Sequence, residues 1–269
     1  MPSDAMLIVY SKLDIASENA AAELIRIGGF KQVEDVAGHA MHIAGQTKML
    51  EIDTAMVNAG FLDDLVDTDL IVFLSKHRSE KGVASFTVHA EGNWSGKADL
   101  GGTPRQLSYA APVQMLAVLK VMHRLNAGGI EVTYEATHHG PLLVAPSMFV
   151  EIGGNDNIIA SREHAKTLAE SVKEALLDWH EPDFGAVAVG IGGMHYPGKF
   201  TRLALEGKYA FAHILPKYYV NELDMLGQAF ERSSVKPEKA VIEWKSINAV
   251  ERESVIKRLG ELGMDYDRV

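Results

Sequence analysis

The chain has 269 residues, no cysteine and a formal net charge of −10, from 26 Lys and Arg against 36 Asp and Glu. Without cysteine there are no disulfides, thiolate nucleophiles or Cys-based metal sites, and the acidic balance argues against nucleic-acid binding through net charge alone. No apolar run reaches the roughly 18 residues of a membrane span, and residues 1–4 lack the basic start of a secretory signal. We therefore expect a cytoplasmic protein that contacts neither membranes nor DNA.

The predicted elements alternate buried strands with amphipathic helices. In chain order we expect a strand over 5–10, a helix over 15–27, short strands and turns over 30–54, strands over 70–74 and 84–89, a helix from 113 to the glycines at 128 and 129, strands over 130–135 and 147–152, a helix over 162–179, a strand over 186–191, and strand, helix, strand and helix over 209–215, 221–231, 240–244 and 248–260. Asp14 and Ser161 are placed to cap two of these helices.

This alternation predicts a three-layer α/β/α architecture with a mixed, largely parallel sheet. No Ser-, Gly- or Pro-rich linker divides the chain. We therefore expect residues 1–269 to form a single compact unit, or a unit with an intimately packed second lobe.

Histidines follow four of the predicted strands at the points where the strands end. They are His77, His89, the pair His138 and His139, and His195. Ligands of open α/β sheets bind beyond the carboxyl ends of strands, where loops converge. A single histidine there is more often a hydrogen-bonding loop residue, but four strand ends together indicate a functional cluster.

Two carboxylates accompany these histidines. Glu91 lies two residues after His89, so both side chains point to one face of an extended segment. The same parity places Glu135 on the face of His139 and turns the adjacent His138 the other way. Such His–carboxylate pairs bind a metal, or act as a base and its orienting group.

Glycine-rich and nucleophile motifs give weaker indications. Gly192 and Gly193 follow a predicted strand, where their N–H groups can cradle a carbonyl or phosphate, and tight strand–helix packing explains them equally well. There is no Walker motif, G-x-G-x-x-G or G-x-S-x-G in the sequence. This argues against nucleotide hydrolysis, nicotinamide chemistry and a serine-hydrolase elbow.

Five short segments together resemble the archaeal- and plant-type D-aminoacyl-tRNA deacylases, in the same order and over essentially the whole chain. The segments are S-K-H-R-S (75–79), S-F-T-V-H-A-E-G-N-W (85–94), E-A-T-H-H-G-P (135–141), G-I-G-G-M-H-Y-P (190–197) and F-A-H-I-L-P-K-Y (211–218). The resemblance implies hydrolysis of the ester that joins a D-amino acid to the terminal adenosine of tRNA. It also implies an association with zinc and a phosphorylase/hydrolase-like α/β fold.

For this reaction we expect zinc-activated water, because zinc lowers the pKa of bound water to about 7. Our hypothesis places His89, His139 and His195 around the metal, with Glu135 or Glu91 as a further ligand or base. His138, or N–H groups near Gly192 and Gly193, would stabilise the oxyanion. The competing mechanism uses no metal, and the terminal ribose hydroxyl of the substrate assists the attack.

D-aminoacyl-tRNA is the expected substrate and partner. The residues expected to contact it are Lys76, His77, Arg78, Asn93, Gly192, Gly193, Lys199, Arg202, His213 and Lys217. The lysines and arginines of this set should gather on the pocket rim and bind phosphates. Two alternatives remain open: a zinc exopeptidase- or phosphorylase-like enzyme that acts on small molecules, and a tRNA-binding module without chemistry.

Overall fold

The computed structural model describes residues 5–78, 82–126 and 129–269, so the expectations for residues 1–4, Ser79 and Gly128 fall outside it. The strands are β1 (Met6–Ser11), β2 (Lys31–Gln32), β3 (Met41–Ala44), β4 (Thr47–Ile52), β5 (Leu70–Arg78), β6 (Ser85–His89), β7 (Gly92–Asn93), β8 (Gln106–Leu107), β9 (Glu131–Tyr134), β10 (Ser147–Gly154), β11 (Ala186–Ile191), β12 (Tyr209–Leu215), β13 (Lys239–Ile242) and β14 (Asp265–Arg268). The α-helices are α1 (Ile15–Gly28), α2 (Leu62–Leu65), α3 (Pro112–Leu125), α4 (Asp156–Ile159), α5 (Arg162–Val172), α6 (Gly198–Leu205), α7 (Leu226–Glu231) and α8 (Ala249–Glu261).

Local capping chemistry sets the helix boundaries. The Asp14 carboxylate accepts two backbone N–H bonds from the first turn of α1, at 3.0 and 3.3 Å, and α1 ends where Gly29 adopts a left-handed φ of 71°. Ser161 caps α5. Asn248 and Glu251 form a reciprocal capping box at the start of α8.

The larger sheet has eight strands in the order β2-β3-β4-β1-β5-β10-β6-β9. Strands β4, β1, β5 and β10 run parallel, whereas β10 and β6 are antiparallel. Alternate residues of β1 pack on opposite faces because strand side chains alternate. Met6, Ile8 and Tyr10 share a core with α1, α3 and α5. Leu7 and Val9 belong to the core on the other face, which is covered by the short α2 and by loops.

The smaller sheet has four parallel strands in the order β12-β11-β13-β14. Val187 and Phe211 on this sheet belong to the same buried core as α3, and α3 packs between the two sheets, against β6 on one side and β12 on the other. Val189 and Ile191 face the opposite way and pack with α7 and α8. The loops after β9 and β11 therefore meet at the junction of the two sheets.

The α/β architecture with a mixed, largely parallel sheet is confirmed. Several predicted boundaries were wrong, and β14 was not predicted. β5 continues to Arg78 instead of ending at residue 74, the helix predicted over 162–179 passes into a π turn at Lys173–Leu177, and segment 221–231 forms a 3-10 turn before the short α7. None of the helices in the described ranges is long and apolar enough to cross a membrane.

Candidate active site

Five histidines and two buried carboxylates meet near strand ends of both sheets. They are His77 on β5, His89 at the end of β6, Glu135, His138 and His139 after β9, Glu151 on β10, and His195 after β11. The register of the larger sheet brings His77, His89 and Glu151 together. β5 and β10 are parallel neighbours with Gly153 opposite His77, and β6 runs against β10 with His89 opposite Phe149.

The loop after β9 is hydrogen-bonded to the smaller sheet. The Ala136 N–H donates to the carbonyl of His195 at 2.8 Å, and the Thr137 N–H donates to the carbonyl of Ile214 at 3.0 Å. These two bonds fix the loop against the ends of β11 and β12. The side chains of the loop and of His195 are thereby held next to one another.

The parity argument for this loop was wrong. It predicted that His138 and His139 point apart and that Glu135 shares a face with His139, but β9 ends at Tyr134, so strand alternation does not continue through these residues. His139 has a left-handed φ of 44°, which turns the chain so that the two imidazole centroids lie 4.3 Å apart. Glu135 contacts His138 instead, with Oε2 3.5 Å from Nε2.

The Glu135 carboxylate lies among three imidazoles. Its Oε2 is 2.8 Å from His195 Nε2, 3.2 Å from His77 Nδ1 and 3.5 Å from His138 Nε2, and the residue is only 1% exposed. Burial alone would raise the pKa of Glu135, but the imidazoles of His195 and His77 hold it well below its usual range. The carboxylate therefore stays ionised at the centre of the cluster.

A second buried carboxylate, Glu151, was missed by the sequence analysis. Its Oε2 lies 3.4 Å from His89 Nε2 and 3.8 Å from His77 Nδ1. Burial opposes a charge on His89, but the neighbouring carboxylates, led by Glu151, outweigh it and raise the pKa of His89 to about 9. A carboxylate within an apolar strand was the available signal, since a buried charge requires a partner.

Three imidazoles each direct Nδ1 at a backbone carbonyl. The contacts are His89 Nδ1 to Ala90 O at 3.2 Å, His138 Nδ1 to Ala136 O at 2.9 Å and His139 Nδ1 to Gly140 O at 2.5 Å. Burial lowers the pKa of His139 to about 4 and, with the neighbouring imidazoles, holds that of His138 well below its usual value. These two rings are neutral with a proton on Nδ1, so Nε2 carries the free lone pair. Metal-binding histidines have this arrangement.

The donor set fits a divalent metal ion such as zinc. The residues form three groups, and within each group the ligand atoms lie within 4.8 Å of one another. The groups are His89, His138 and His139; His77, Glu135, His138 and His195; and His89, Glu135 and Glu151. Within the described part of the chain, His89 Nε2, Glu151 Oε2 and both Glu135 oxygens are buried without a partner in hydrogen-bond geometry. Orphaned imidazole and carboxylate atoms of this kind are satisfied by metal coordination.

Two cavities flank the cluster, and His138, His139 and His195 line both of them. The larger has a volume of about 470 Å³ and also contacts Lys76 and Arg78. The smaller has a volume of about 270 Å³. The imidazoles are thus accessible to a ligand from two sides.

Comparisons with known proteins give the family of this chain. A family model described as D-aminoacyl-tRNA deacylase matches residues 65–266. The chain belongs to the D-aminoacyl-tRNA deacylase family. The D-aminoacyl-tRNA deacylase of Thermococcus onnurineus (strain NA1) is 34% identical over 271 residues, covering 97% of this chain and 99% of the relative. That of Ignicoccus hospitalis (strain KIN4/I / DSM 18386 / JCM 14125) is 41% identical over 200 residues, covering 73% and 80%. A crystal structure described as a conserved protein of unknown function, AF0625, superposes with a TM-score of 0.89 at 30% identity, covering 98% of this chain and 95% of the other.

In this member of the deacylase family, the histidines expected as zinc ligands lie in one cluster but not in one ligand group. His89 and His139 belong to the first group and His195 to the second, and His138 is shared. Glu91 lies outside these groups. It is fully buried, its Oε2 accepts a bond from Ser147 Oγ at 3.1 Å, and burial raises its pKa to about 7.

The N–H groups expected to cradle the substrate are used within the deacylase fold. The Gly192 N–H donates to the carbonyl of Leu215 at 2.8 Å, and the Gly193 N–H donates to Ser246 Oγ at 2.9 Å. Both glycines have left-handed φ angles, 102° and 76°. They therefore shape the turn after β11 and leave oxyanion contacts to other groups.

The basic residues expected on the pocket rim lie at different cavities. Lys76 and Arg78 line the larger cavity, but Lys76 Nζ lies 3.7 Å from Asp14 and Arg78 lies 3.3 Å from Asp156, so carboxylates accompany both. Arg202 lines a different cavity. Lys76 and Arg78 thus lie at one cavity and Arg202 at another, and a common basic rim around the cluster stays a prediction.

The remaining residues expected to contact the substrate also lie in different places. Lys199 and Lys217 line neither of the two cavities, whereas Asn93 lines the smaller one. His213 is fully buried, with Nδ1 3.2 Å from Thr137 Oγ1 and Nε2 2.9 Å from the carbonyl of Arg232. It contacts the loop after β9 through Thr137, and its burial leaves it no access to a substrate.

Proposed function

We propose that the protein hydrolyses the ester bond of D-aminoacyl-tRNA, which releases the D-amino acid and frees the tRNA for correct charging. The observation that carries this proposal is the meeting of five imidazoles and two buried carboxylates between two cavities, in a chain of this family. Ester hydrolysis needs groups that accept and deliver protons, whereas a pocket that only binds gains little from them. Since the substrate is a tRNA, we place the reaction in the cytoplasm.

Zinc would be held by His89, His138 and His139. The Nδ1 atoms of all three are anchored to carbonyls, so each ring can offer Nε2 to the metal; His89, whose neighbouring carboxylates raise its pKa, would release its Nε2 proton on binding. Three imidazoles with an open fourth position are the pattern of catalytic zinc sites. Bound there, zinc would act as a Lewis acid on the ester carbonyl of the substrate. Compared with the ligands expected from the sequence, His138 replaces His195.

His195 is the residue that takes a proton from water. Its side chain is 31% exposed and lines both cavities, so it is accessible to water and substrate. Glu135 Oε2 lies 2.8 Å from Nε2, which leaves Nδ1 as the atom that accepts the proton. The buried carboxylate of Glu135 orients the ring and stabilises the imidazolium that forms.

The test is hydrolysis of matched D- and L-aminoacyl-tRNA, with and without a chelator and with zinc added back. We expect selective release of the D-amino acid that chelation abolishes and zinc restores. Selective hydrolysis that ignores the chelator would retain the reaction and reject the zinc site. Binding of the tRNA without release of amino acid, even with zinc, would reject the proposed reaction.

A further inference from the structure

The two cavities at the histidine cluster have different linings. The larger cavity combines apolar side chains, among them Ala55, Met56 and Phe149, with the charged side chains of Lys76 and Arg78, which are accompanied by carboxylates. The smaller cavity contains three large aromatic side chains, Trp94, Tyr218 and Tyr219. Trp94 is buried and its Nε1 donates to the carbonyl of Thr137 at 2.9 Å, whereas Tyr218 is 49% exposed. The smaller cavity thus presents an accessible phenol ring to its occupant.

Tyr218 lies directly beside the proposed proton acceptor. Its hydroxyl is 3.5 Å from His195 Nδ1, and its ring meets that of Tyr219 edge to face, with centroids 4.9 Å apart. Leu100, which is 62% exposed, lines the same cavity. Large apolar side chains that remain exposed around a pocket indicate a surface that a ligand covers. The occupant must therefore bring an apolar or planar group to within a few ångströms of His195.

Two lysines and one carboxylate lie at the smaller cavity. Lys97 lines it, and Lys217 begins the turn that carries Tyr218. Within the described residues neither lysine has a carboxylate within 4.0 Å, in contrast to Lys76 and Arg78 at the larger cavity. Asp99 also lines the smaller cavity, so charge alone gives little net attraction there and stacking must supply affinity. An aromatic platform beside such cations is the chemistry that binds single-stranded nucleic-acid ends.

We propose that the smaller cavity binds the terminal adenosine of the substrate, with its base against the ring of Tyr218 and its phosphate toward Lys97 and Lys217. This inference rests on the proposed function and specifies which cavity receives which part of the substrate. The ester bond then lies at the histidines that line both cavities. The aminoacyl group enters the larger cavity, where Ala55, Met56 and Phe149 offer apolar contacts.

The kinetic test compares Tyr218→Ala and Tyr218→Phe on two substrates, D-aminoacyl-tRNA and a D-amino acid methyl ester that lacks a base. Stacking on an aromatic side chain corresponds to roughly 5- to 150-fold in binding, so Tyr218→Ala should raise KM for the tRNA substrate by that factor. It should reduce the preference for tRNA over methyl ester. Tyr218→Phe keeps the ring and should restore KM.

Val250→Ala is the matched control, because Val250 is 73% exposed on α8 and lines neither cavity. Its kinetics should equal those of the unmodified protein. If Tyr218→Ala lowers kcat without raising KM, or lowers kcat/KM equally for both substrates, Tyr218 acts on the chemistry and the base does not stack on it. Tyr218→Phe that behaves like Tyr218→Ala would assign the effect to the hydroxyl and overturn the proposal.

A binding measurement separates this inference from the proposed reaction. The trinucleotide CCA is titrated into the unmodified protein and Tyr218→Ala, without any ester present. Saturable binding that weakens in Tyr218→Ala supports the nucleotide cavity, even if no D-aminoacyl-tRNA is hydrolysed. Hydrolysis of D-aminoacyl-tRNA together with equal CCA binding by both proteins would retain the reaction and reject the cavity assignment.

Discussion

His195 Nε2 lies 2.8 Å from Glu135 Oε2, although Glu135 follows a strand of the larger sheet and His195 follows a strand of the smaller one. The backbone joins at the same place, since the Ala136 N–H donates to the carbonyl of His195 at 2.8 Å. The pair is held by both its side chains and its main chain. Replacing Glu135 or His195 therefore tests the contact between the two sheets as well as the proposed proton transfer.

Replacing Glu135 with Gln should reduce kcat/KM for D-aminoacyl-tRNA by about 100-fold or more. The amide lacks the charge that orients His195 and stabilises its protonated ring, and general acid–base catalysis is worth about 10²- to 10⁴-fold. Steady-state kinetics measure the loss, with thermal unfolding recorded in parallel. Glu206→Gln, at an exposed surface ion pair with Lys208, is the control. A Glu135→Gln protein as active as this control would remove the carboxylate from the mechanism.

His139 allows its imidazole and its backbone to be tested separately. Its φ of 44° is tolerated by Asn but strained for Ala. If the ring is a metal ligand, both His139→Asn and His139→Ala should lose zinc and activity, while His139→Asn should unfold at the higher temperature. Metal content and thermal melts measure the two effects. Full activity in His139→Asn would show that the position serves only the turn.

His213 should make stability pH-dependent in a defined window. Burial lowers its pKa to about 4 from an ordinary 6.5, so between these values the unfolded chain binds a proton that the folded protein does not. The free energy of unfolding should therefore be unaffected above pH 6.5 and decrease as the pH falls toward 4, by up to about 1.4 kcal/mol per pH unit.

His213→Gln removes this proton and keeps groups that can bond to Thr137 and Arg232. Denaturant melts of the metal-free protein across this window should show a shallower dependence on pH in the variant. The exposed His180 provides a control, His180→Gln. An unchanged slope in His213→Gln would mean that the folded protein protonates this ring as readily as the unfolded chain.

Gly140 and Gly260 should respond oppositely to replacement by Ala. A Cβ at Gly140 would lie 2.1 Å from the backbone nitrogen of Gly102 and 2.6 Å from the carbonyl oxygen of Val57, so the loop that carries His139 must move. We expect Gly140→Ala to lose both activity and thermal stability. Gly260 lies in α8 with no atom near its Cβ position, and Gly260→Ala should stabilise by about 0.5–1 kcal/mol. Equal activity and thermal stability in the two variants would show that the Cβ position of Gly140 does not approach Gly102 and Val57 closely.

The sequence predicted the fold well because the relevant forces are local. Buried strands appear as short apolar runs, and caps such as Asp14 and Ser161 mark helix starts by their hydrogen-bonding chemistry. The convergence of His77, His89 and His195 also followed from a local pattern, histidine near strand ends. Each of these predictions needed only the neighbouring residues.

The remaining features of the site depend on contacts between distant segments. Glu151 is paired with His89 through the register of β10 and β6, which no local pattern gives. The orientation of His139 depends on a left-handed residue, and parity fails there. The pairing of Lys76 with Asp14 is also non-local, because these residues lie 62 positions apart in the sequence.

The junction between the two sheets also constrains when this hydrolase becomes competent during synthesis. Glu135 and Glu151 belong to the eight-stranded sheet, whose last strand in sequence ends at Gly154, but His195 depends on a sheet whose last strand ends at Arg268. A nascent chain therefore carries an incomplete centre until residues far beyond His195 have left the ribosome. Truncated products would be inert toward the aminoacyl esters that surround them.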